Sequence, residues 1–443
     1  MLANNPDLTI ASALELIKSG DLSISTLYEA CRKRIDQLDP VINAFIQVSE
    51  SVVPEQLGGK RQLPIPVAVK DLIDVAGFPT TAGSPLFFGG HNIDKDAFVV
   101  HRLRNSGAAI IGKTNTHEIA LGVTGVNPHY GPVRNPRNIE HIAGGSSSGS
   151  AAAVAAGMAF AALGTDTGGS TRIPAALCGV VGLKPTRGRI SLEGMMPLSI
   201  NLDHAGILTR SVRDSGLVLQ ILAGYDPLDT ASVNIPVDDY LEWPDSGLRS
   251  WRVAFGCGNY LEEIHPDISK AMAVAREKFC DLGAELESVD LSWLSELAKA
   301  NSQMTQADAA VFHRFRFKAH PEWFGDDVRQ RLEIGSNLTS SEYENYRKVQ
   351  YKGIQRLSAL LSQFEVLMLP TTPIPAPELA GLDALKAARE LTRFTSPFNL
   401  TGFPAISVPN GVTGDGLPIG LQLVAGTWKE RKLLHAGHLF ETQ

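Results

Sequence analysis

The chain has few cysteines and no long hydrophobic run, and each shortage excludes a class of protein. Its four cysteines are scattered through 443 residues without a CxxC pair, which is typical of reduced thiols in a cytoplasmic protein. The most apolar run, 151–164, consists mostly of alanine and glycine and is too short to span a bilayer, so we predict a buried helix and no membrane association. The first residues lack the basic segment and apolar core of a signal peptide.

The chain also lacks an excess of positive charge and the common cofactor motifs. A net charge of −7 at pH 7 gives no electrostatic reason to expect a nucleic-acid partner. The glycine-rich segments fit neither GxxxxGK[ST] nor GxGxxG, and no HExxH is present, so we expect no nucleotide, metal or other cofactor. Hydrophobic and charged fractions of 44% and 20% are those of a globular protein.

Residue periodicity predicts one large α/β domain. Residues 8–50 have helical spacing, with Thr9 or Ser12 as a candidate cap and with Gly20 and Pro40 as stops. From residue 63, short β-branched runs alternate with helical ones, which favours a mixed or parallel sheet covered by helices. Further strands are predicted at 251–256, 284–291, 364–370, 403–409 and 420–426, and further helices at 95–107, at 266–282, over most of 290–362 and from about 428.

Two glycine- and serine-rich clusters, GGSSSGS at 144–150 and TDTGGSTR at 165–172, flank the alanine-rich run. A flexible linker is one interpretation, although a linker is not usually followed by small residues suited to burial. Alternatively, the Ser170 hydroxyl is a nucleophile and the consecutive backbone N–H groups of 167–170 form an oxyanion hole around it. Acyl transfer requires this combination. GSSSG matches the GxSxG elbow around Ser147, but no core strand precedes it. The residues alone leave the first two interpretations open.

A serine nucleophile needs a base, and the sequence offers two kinds. Eleven histidines are present, but any one histidine is more often a surface or core residue than a catalytic base. Lys70 ends the apolar strand pattern PIPVAVKD, next to Asp71. A lysine acts as a base only where burial lowers its pKa from about 10.4 toward 7, whereas a lysine at a strand end is usually solvated.

Together these segments resemble the amidase signature family. The matching stretches are collinear over about 62–215, with a looser match at 398–426. They are PIPVAVKDLIDVAG, AAIIGKTNTHEIALG, NPHYGPVRNP, the run from GGSSSGS to GLKPTRGRIS, LDHAGILTRSV, and FNLTGFPAISVPNG with GLPIGLQLVAG. The resemblance implies a single domain over 1–443, with a mixed central sheet, helices on both sides and an N-terminal helical layer. It divides the chain into N-terminal helices (1–60), signature core (62–215), variable substrate-shaping region (216–365) and C-terminal strands and helix (366–443).

The same resemblance implies a Ser–cisSer–Lys triad. Ser170 matches the acylated nucleophile and Lys70 the general base. Ser146 matches the bridging serine, which in the family follows a cis peptide, here Gly145–Ser146. The oxyanion hole is implied for four backbone N–H groups: those of Thr167, Gly168, Gly169 and Ser170.

Two positions depart from the family pattern. Ser148 stands where glycine is usual, which would strain the backbone if that position needs a positive φ. Thr171 stands where isoleucine is common. Asp166 and Arg172, beside the nucleophile, are expected to be structural supports.

The implied activity is hydrolysis of a small-molecule amide to a carboxylate and ammonia or an amine, through an acyl-enzyme on Ser170. Two other functions stay open. One is the A subunit of the tRNA-dependent amidotransferase, which releases ammonia from glutamine and would bring a nucleic-acid partner. Against it, a threonine, Thr392, stands about where the glutamine-binding aspartate of that protein would fall, just ahead of PFNLTG, and the chain lacks a longer tail. The other is a non-catalytic binding relative, which the complete triad disfavours.

The substrate pocket is harder to assign. Thr124 and Phe398 are expected to bind substrate, and Arg331 loosely matches an arginine that could hold a substrate carboxylate. The aromatic residues between 312 and 324 have the spacing of a helical core rather than of a pocket lining. The sequence leaves the oligomeric state open, although a homodimer is the commonest assembly of soluble proteins.

Overall fold

The computed structural model describes residues 8–50, 62–87, 92–243 and 247–443, and thirteen α-helices and thirteen β-strands lie within these ranges. The helices are α1 (Ile10–Ser19), α2 (Ile24–Ile42), α3 (Phe98–Asn105), α4 (Ser148–Ala155), α5 (Arg172–Cys178), α6 (Val212–Leu222), α7 (Pro266–Asp281), α8 (Leu294–Ala319), α9 (Asp326–Ser336), α10 (Ser340–Leu360), α11 (Ala384–Leu391), α12 (Ser396–Thr401) and α13 (Glu430–Thr442). The strands are β1 (Phe45–Val48), β2 (Pro66–Lys70), β3 (Ala109–Thr114), β4 (Arg134–Asn135), β5 (Asn138–Ile142), β6 (Ala161–Thr165), β7 (Val181–Lys184), β8 (Ala205–Thr209), β9 (Arg252–Cys257), β10 (Glu285–Asp290), β11 (Val366–Pro370), β12 (Ala405–Val412) and β13 (Pro418–Ala425).

Eleven of these strands form one mixed sheet in the order β1-β3-β2-β6-β8-β7-β12-β13-β11-β9-β10. Strands β3, β2 and β6 are mutually parallel neighbours, as are β11, β9 and β10, while the pairs between these two groups are antiparallel. Strands β4 and β5 pair separately. The mixed sheet that the sequence predicts is confirmed.

Helices cover both faces of this sheet because its strands are apolar on both sides. Along β11, Val366 and Met368 belong to one buried cluster, whereas Leu367 and Leu369 belong to another. Since successive side chains of a strand point to opposite faces, the two clusters lie on opposite sides of the sheet. Helices α6, α7 and α13 contribute to the first cluster, and α8, α10 and α12 contribute to the second.

The N-terminal helical layer is also present. Thr9 caps α1 by accepting a hydrogen bond from the Ser12 amide, and Gly20 ends the helix at φ 82°. The first amides of α1, those of Ile10 and Ala11, donate to the buried carboxylate of Asp214 at 3.0 Å. Satisfying these helix-terminal N–H groups fixes the layer on α6.

Three details of the predicted elements are wrong. Residues 8–50 are not all helical, because Phe45–Val48 forms the edge strand β1, and α2 continues through Pro40 to Ile42. The alanine-rich run is not one helix: it leaves the helix after Ala155 and returns as β6, because pairing between β2 and β8 takes its second half into the sheet. Positions 1–7 and 51–60 of the predicted N-terminal helices lie outside the described residues. In the described ranges, no helix is both long and apolar enough to cross a membrane.

Candidate active site

The site begins where two parallel strands end side by side. Lys70 is the last residue of β2 and Thr165 is the last residue of its neighbour β6. The Lys70 Nζ donates one hydrogen bond to Thr165 Oγ1 and another to Ser146 Oγ, each at 2.7 Å. The carboxyl ends of parallel strands are a common place for functional side chains. The sequence prediction brought Lys70 and Ser146 together but missed Thr165.

Lys70 has the electrostatic environment of a base. Its side chain is fully buried, and this burial lowers the pKa of Lys70 to about 7, although the charges of Asp203 and Asp166 act in the opposite direction. Desolvation disfavours the ammonium form, so a large share of the amine is neutral near neutral pH. The expectation that a strand-end lysine is solvated does not hold here, because β2 lies inside the sheet.

The two glycine- and serine-rich clusters meet in space. The Ser147 N–H donates to the Ser170 carbonyl at 3.0 Å, and the Ser147 hydroxyl donates to the Thr165 carbonyl at 3.1 Å. The Gly145–Ser146 peptide is cis, and its serine carbonyl accepts a hydrogen bond from Thr116 Oγ1 at 2.8 Å. Both clusters are buried and bonded to each other, which excludes a flexible linker.

A buried ion pair holds the loop that carries Ser170. Asp166 accepts hydrogen bonds from the amides of Gly169 and Thr171 and from the guanidinium of Arg172, at 2.9–3.2 Å. Burial opposes ionisation of this carboxyl, but Arg172, Lys184 and Asn399 together keep the pKa of Asp166 below its ordinary value. Asp166 and Arg172 therefore have the geometry of structural supports.

Residues distant in sequence hold the rest of this loop. Thr167 Oγ1 donates to Asp203 at 2.6 Å, Asn301 donates to the Thr167 carbonyl at 3.1 Å, and Thr395 Oγ1 donates to the Gly168 carbonyl at 2.7 Å. The sequence analysis named none of these three partners as functional. Asp203 lies within the matched segment LDHAGILTRSV, whereas nothing local marks Asn301 or Thr395.

The four backbone amides predicted to form the oxyanion hole differ in whether their N–H group already has an acceptor. The Gly169 N–H donates to Asp166 Oδ1 and is already occupied. The amides of Thr167, Gly168 and Ser170 have no acceptor among the described residues. An oxyanion site needs donors that are oriented before the substrate binds, and the hydrogen bond from Asn301 to the Thr167 carbonyl fixes the peptide plane that carries the free Gly168 N–H.

A cavity of about 410 Å³ opens beside Ser170. Ser170 is 3% exposed, and Thr167 and Gly168 line the same cavity. Segment 120–123 and residues of α8, α9 and α11 form its walls. This volume is within the range of small-molecule sites.

Two residues expected to bind substrate do not line this cavity. The Thr124 side chain is buried, and its Oγ1 lies 3.3 Å from His117 Nδ1. Phe398 is fully buried in the cluster beneath α8 and α12. Arg331 does line the cavity.

The expected aromatic core between 312 and 324 is only partly present. Phe324 is buried, in line with that expectation, but Phe315 is 72% exposed. None of the aromatic residues of this segment lines the cavity, although all of them lie in the described part of the chain.

The two departures from the family pattern are accommodated locally. Ser148 is the first residue of α4 and does not have a positive φ, so the predicted strain is absent. Thr171 Oγ1 donates to the Thr165 carbonyl at 3.1 Å. The side chain of Thr171 lies against Gly206, where a Cβ atom would be 1.9 Å from the Thr171 hydroxyl.

The histidines of the described residues do not offer a base at this cavity. Among the described residues that line the cavity there is no histidine. His204, which lies nearest in sequence to Asp203, faces backbone carbonyls with its Nδ1, and burial holds its pKa well below the ordinary value. His117 lies 3.0 Å from the carboxylate of Asp327.

Known proteins share this architecture. Residues 26–434 match the family described as Amidase. The A subunit of the glutamyl-tRNA(Gln) amidotransferase of Geobacter metallireducens is 38% identical over 98% of this chain and 97% of that protein, and an amidase of Pseudomonas putida is 36% identical over 98% and 95%. A solved structure of a vestigial protein complex, described as revealing the evolutionary origins of an s-triazine catabolic enzyme, has a TM-score of 0.90 at 31% identity and 98% coverage of both chains. With a match that spans most of its length, this chain belongs to the amidase signature family of amide-hydrolysing enzymes.

Proposed function

We propose that this chain is a free-standing amidase in which Ser170 is the nucleophile, Ser146 is the bridging serine and Lys70 is the base. The observation that carries the proposal is the 2.7 Å hydrogen bond from Lys70 Nζ to Ser146 Oγ, at a fully buried lysine beside the Ser170 loop. A neutral amine in contact with a serine hydroxyl is an arrangement that can activate a nucleophile.

The reaction has two halves. Neutral Lys70 takes a proton from Ser146 as Ser146 takes the proton of Ser170, and the Ser170 oxygen attacks the amide carbonyl. Free amides of the 167–170 loop bind the resulting oxyanion. The proton then returns through Ser146 to the amide nitrogen, the C–N bond breaks, and ammonia or an amine leaves. Water attacks the remaining ester with the same base and releases the carboxylate.

The second candidate function is that of the glutaminase component of an amidotransferase, and the names of several relatives favour it. The length of the chain does not argue against it, because the alignment covers 97% of the Geobacter metallireducens protein. The lining of the cavity does argue against it. Thr392 lines the cavity, and no Asp or Glu is present among the described lining residues. The α-ammonium group of glutamine would therefore have no counter-ion there.

The test is ammonia release by the purified chain from aliphatic, aromatic and urea-type amides and from glutamine, with Ser170→Ala as control. We expect turnover of at least one amide other than glutamine, and loss of that turnover in the variant. Release from glutamine alone, or only after partner proteins are added, would favour the amidotransferase function. Equal turnover in the variant would refute the assignment of Ser170.

A further inference from the structure

Helix α8 holds one side of the 167–170 loop directly, through Asn301. The Asn301 side-chain amide donates to the Thr167 carbonyl at 3.1 Å, and this carbonyl belongs to the peptide group that carries the Gly168 N–H. Asn301 is buried, so the contact is shielded from water. The orientation of one free donor of the loop is therefore set from α8.

The peptide group that carries the Thr167 N–H is held by other residues. Its carbonyl is that of Asp166, which accepts hydrogen bonds from the backbone N–H of His204 at 3.1 Å and from the Asn399 side chain at 2.7 Å. Asp203, the residue before His204, accepts a hydrogen bond from the Thr167 hydroxyl at 2.6 Å. Two consecutive residues therefore hold the backbone and the side chain of the second free donor.

Asp203 closes a tight turn that comprises residues 198–203. Asp203 Oδ2 accepts hydrogen bonds from the backbone N–H groups of Leu198 and Ser199, at 2.9 and 3.1 Å. The Asp203 N–H in turn donates to the Ser199 carbonyl at 2.9 Å. Because these bonds make the turn one compact unit, a displacement of Ser199 would also move Asp203.

Asp308 of α8 anchors this turn. Ser199 Oγ donates to Asp308 Oδ2 at 2.5 Å, and the Tyr343 hydroxyl, on α10, donates to Asp308 Oδ1 at 2.8 Å. Asn201, in the same turn, donates to the Tyr343 hydroxyl at 3.1 Å. Hydrogen bonds to a carboxylate are stronger than those between neutral groups. One carboxylate therefore joins the turn to two helices.

The two α8 side chains that reach the loop lie on one face of the helix. Asn301 and Asp308 are seven residues apart, which is about two helical turns. Between them, Ser302 and Gln306 line the cavity into which Ser170 opens, whereas Asp308 is not among the described lining residues. The same helix thus forms a wall of the cavity and holds the loop beside it.

We infer that Asp308 is a positioning residue for the oxyanion site. It acts through Ser199 and Asp203 and fixes the free N–H of Thr167. The assignment rests on the proposed function, because it requires an oxyanion to form beside Ser170. It goes beyond that function by giving a role in the reaction to a carboxylate that lies outside the cavity.

The first test separates positioning from stability, with the amide that the enzyme hydrolyses fastest. Asp308→Ala removes the acceptor of two hydroxyls. We expect kcat to fall by at least about tenfold while KM changes by less than about twofold, because a displaced oxyanion donor weakens binding of the transition state only. Asp308→Asn keeps an acceptor for Ser199 and should recover most of kcat. A lower melting temperature in Asp308→Ala with an unchanged kcat would overturn the assignment.

The second test asks whether Asp308 acts through Ser199. Ser199→Ala should lower kcat by a factor similar to that of Asp308→Ala, and the double variant should lose no more than either single variant. Glu296→Ala is the matched control, since it removes an exposed carboxylate from the same helix outside the cavity. It should keep the kcat of the parent enzyme. An unchanged kcat in Ser199→Ala, or losses that multiply in the double variant, would overturn the assignment.

A third measurement does not require turnover. Phenylboronic acid forms a bond from boron to a serine oxygen while the serine proton passes to the base, and an oxygen of the tetrahedral boronate takes the place of the oxyanion. Calorimetry should detect binding that Ser170→Ala loses and that Asp308→Ala weakens by at least about tenfold. If no amide is hydrolysed but phenylboronic acid binds with this dependence, the proposed function fails and the positioning role stands. If amides are hydrolysed but neither kcat nor this binding depends on Asp308, the positioning role fails and the proposed function stands.

Discussion

The backbone N–H of Ser147 donates a hydrogen bond to the carbonyl of Ser170 at 3.0 Å, and this contact joins the two glycine- and serine-rich clusters. Helix α4 and strand β6 separate the two clusters along the chain, and their arrangement in the fold brings the second cluster next to the first. Ser146, bonded to Lys70, is the residue before Ser147. One backbone bond therefore sets the position of Ser146, the proposed bridging serine, relative to the loop of Ser170, the proposed nucleophile.

Replacement of Ser170 should remove activity without unfolding the protein. Ser170→Ala deletes the oxygen that we propose attacks the amide, so we expect turnover to fall by at least about four orders of magnitude. The side chain lines a cavity, so the melting temperature should change little. Ammonia release and thermal melting measure the two effects, with the exposed Ser362→Ala as control. Activity within tenfold of the parent enzyme would show that another nucleophile acts.

Much of this site could be predicted because its residues are grouped in sequence. Lys70, Ser146 and Ser170 each lie within a long matching segment, and the geometry of Lys70 and Ser146 agrees with the predicted contact. Asn301 and Thr395 could not be predicted in this way. Each contacts the nucleophile loop from more than 100 residues away, through a backbone carbonyl that any donor could satisfy.

The fold could be predicted to a similar degree. The strands of the second half have continuous apolar or alternating patterns, and the structure confirms them. The prediction of a single helix over the alanine-rich run was wrong, because small residues fit both a buried helix and a buried strand. Its second half is a strand because of its pairing with β2 and β8, which no local pattern records.

The pH dependence of the reaction should follow the titration of Lys70. Only the neutral amine accepts a proton, and burial lowers the pKa of Lys70 to about 7. The active fraction therefore increases with pH, so kcat/KM should rise about tenfold per pH unit below 7 and level off above it. Lys70→Arg is the control, because a guanidinium stays protonated and should be inactive at every accessible pH. A flat profile between pH 5 and about 8 would exclude Lys70 as the base.

Asp203 offers a way to assign that titration to Lys70. The charge of Asp203 raises the pKa of Lys70, against the larger effect of burial. Asp203→Asn removes this charge and keeps a hydrogen-bond acceptor for Thr167, so the rising limb should move to lower pH. The profile of the variant is compared with that of the parent enzyme. A shift to higher pH would contradict this electrostatic account.

Gly169 should tolerate no side chain. Its φ is 126°, and a Cβ atom would lie 2.1 Å from Thr395 Oγ1, the hydroxyl that holds the Gly168 carbonyl. For Gly169→Ala we expect a loss of about 1–3 kcal/mol in the free energy of unfolding from backbone strain alone, and a fall in kcat as the loop shifts.

The adjacent Gly168→Ala is the matched control for this substitution. The Cβ atom that it adds would have its nearest contact at 3.3 Å, with Asn301 Oδ1, and Gly168 does not have a positive φ. Chemical denaturation and kcat are measured for both variants. Equal losses would show that the close approach to Thr395 is not what requires glycine at 169.

The sign of the charge in the cavity should decide between glutamine and its analogue without the amino group. Thr392 lines the cavity at the end of α11, and its hydroxyl donates to the Ala388 carbonyl at 2.7 Å. Thr392→Asp places a carboxylate in the lining of this cavity, where it can pair with the α-ammonium group of glutamine and repel glutaramate, the analogue that lacks the amino group. We expect the ratio of kcat/KM for glutamine to that for glutaramate to rise by at least about tenfold, which corresponds to about 1.4 kcal/mol.

Thr392→Asn has the same shape without the charge and should leave the ratio near that of the parent enzyme. If both variants change the ratio equally, shape rather than charge selects the substrate. If neither does, the ammonium group of glutamine does not reach Thr392.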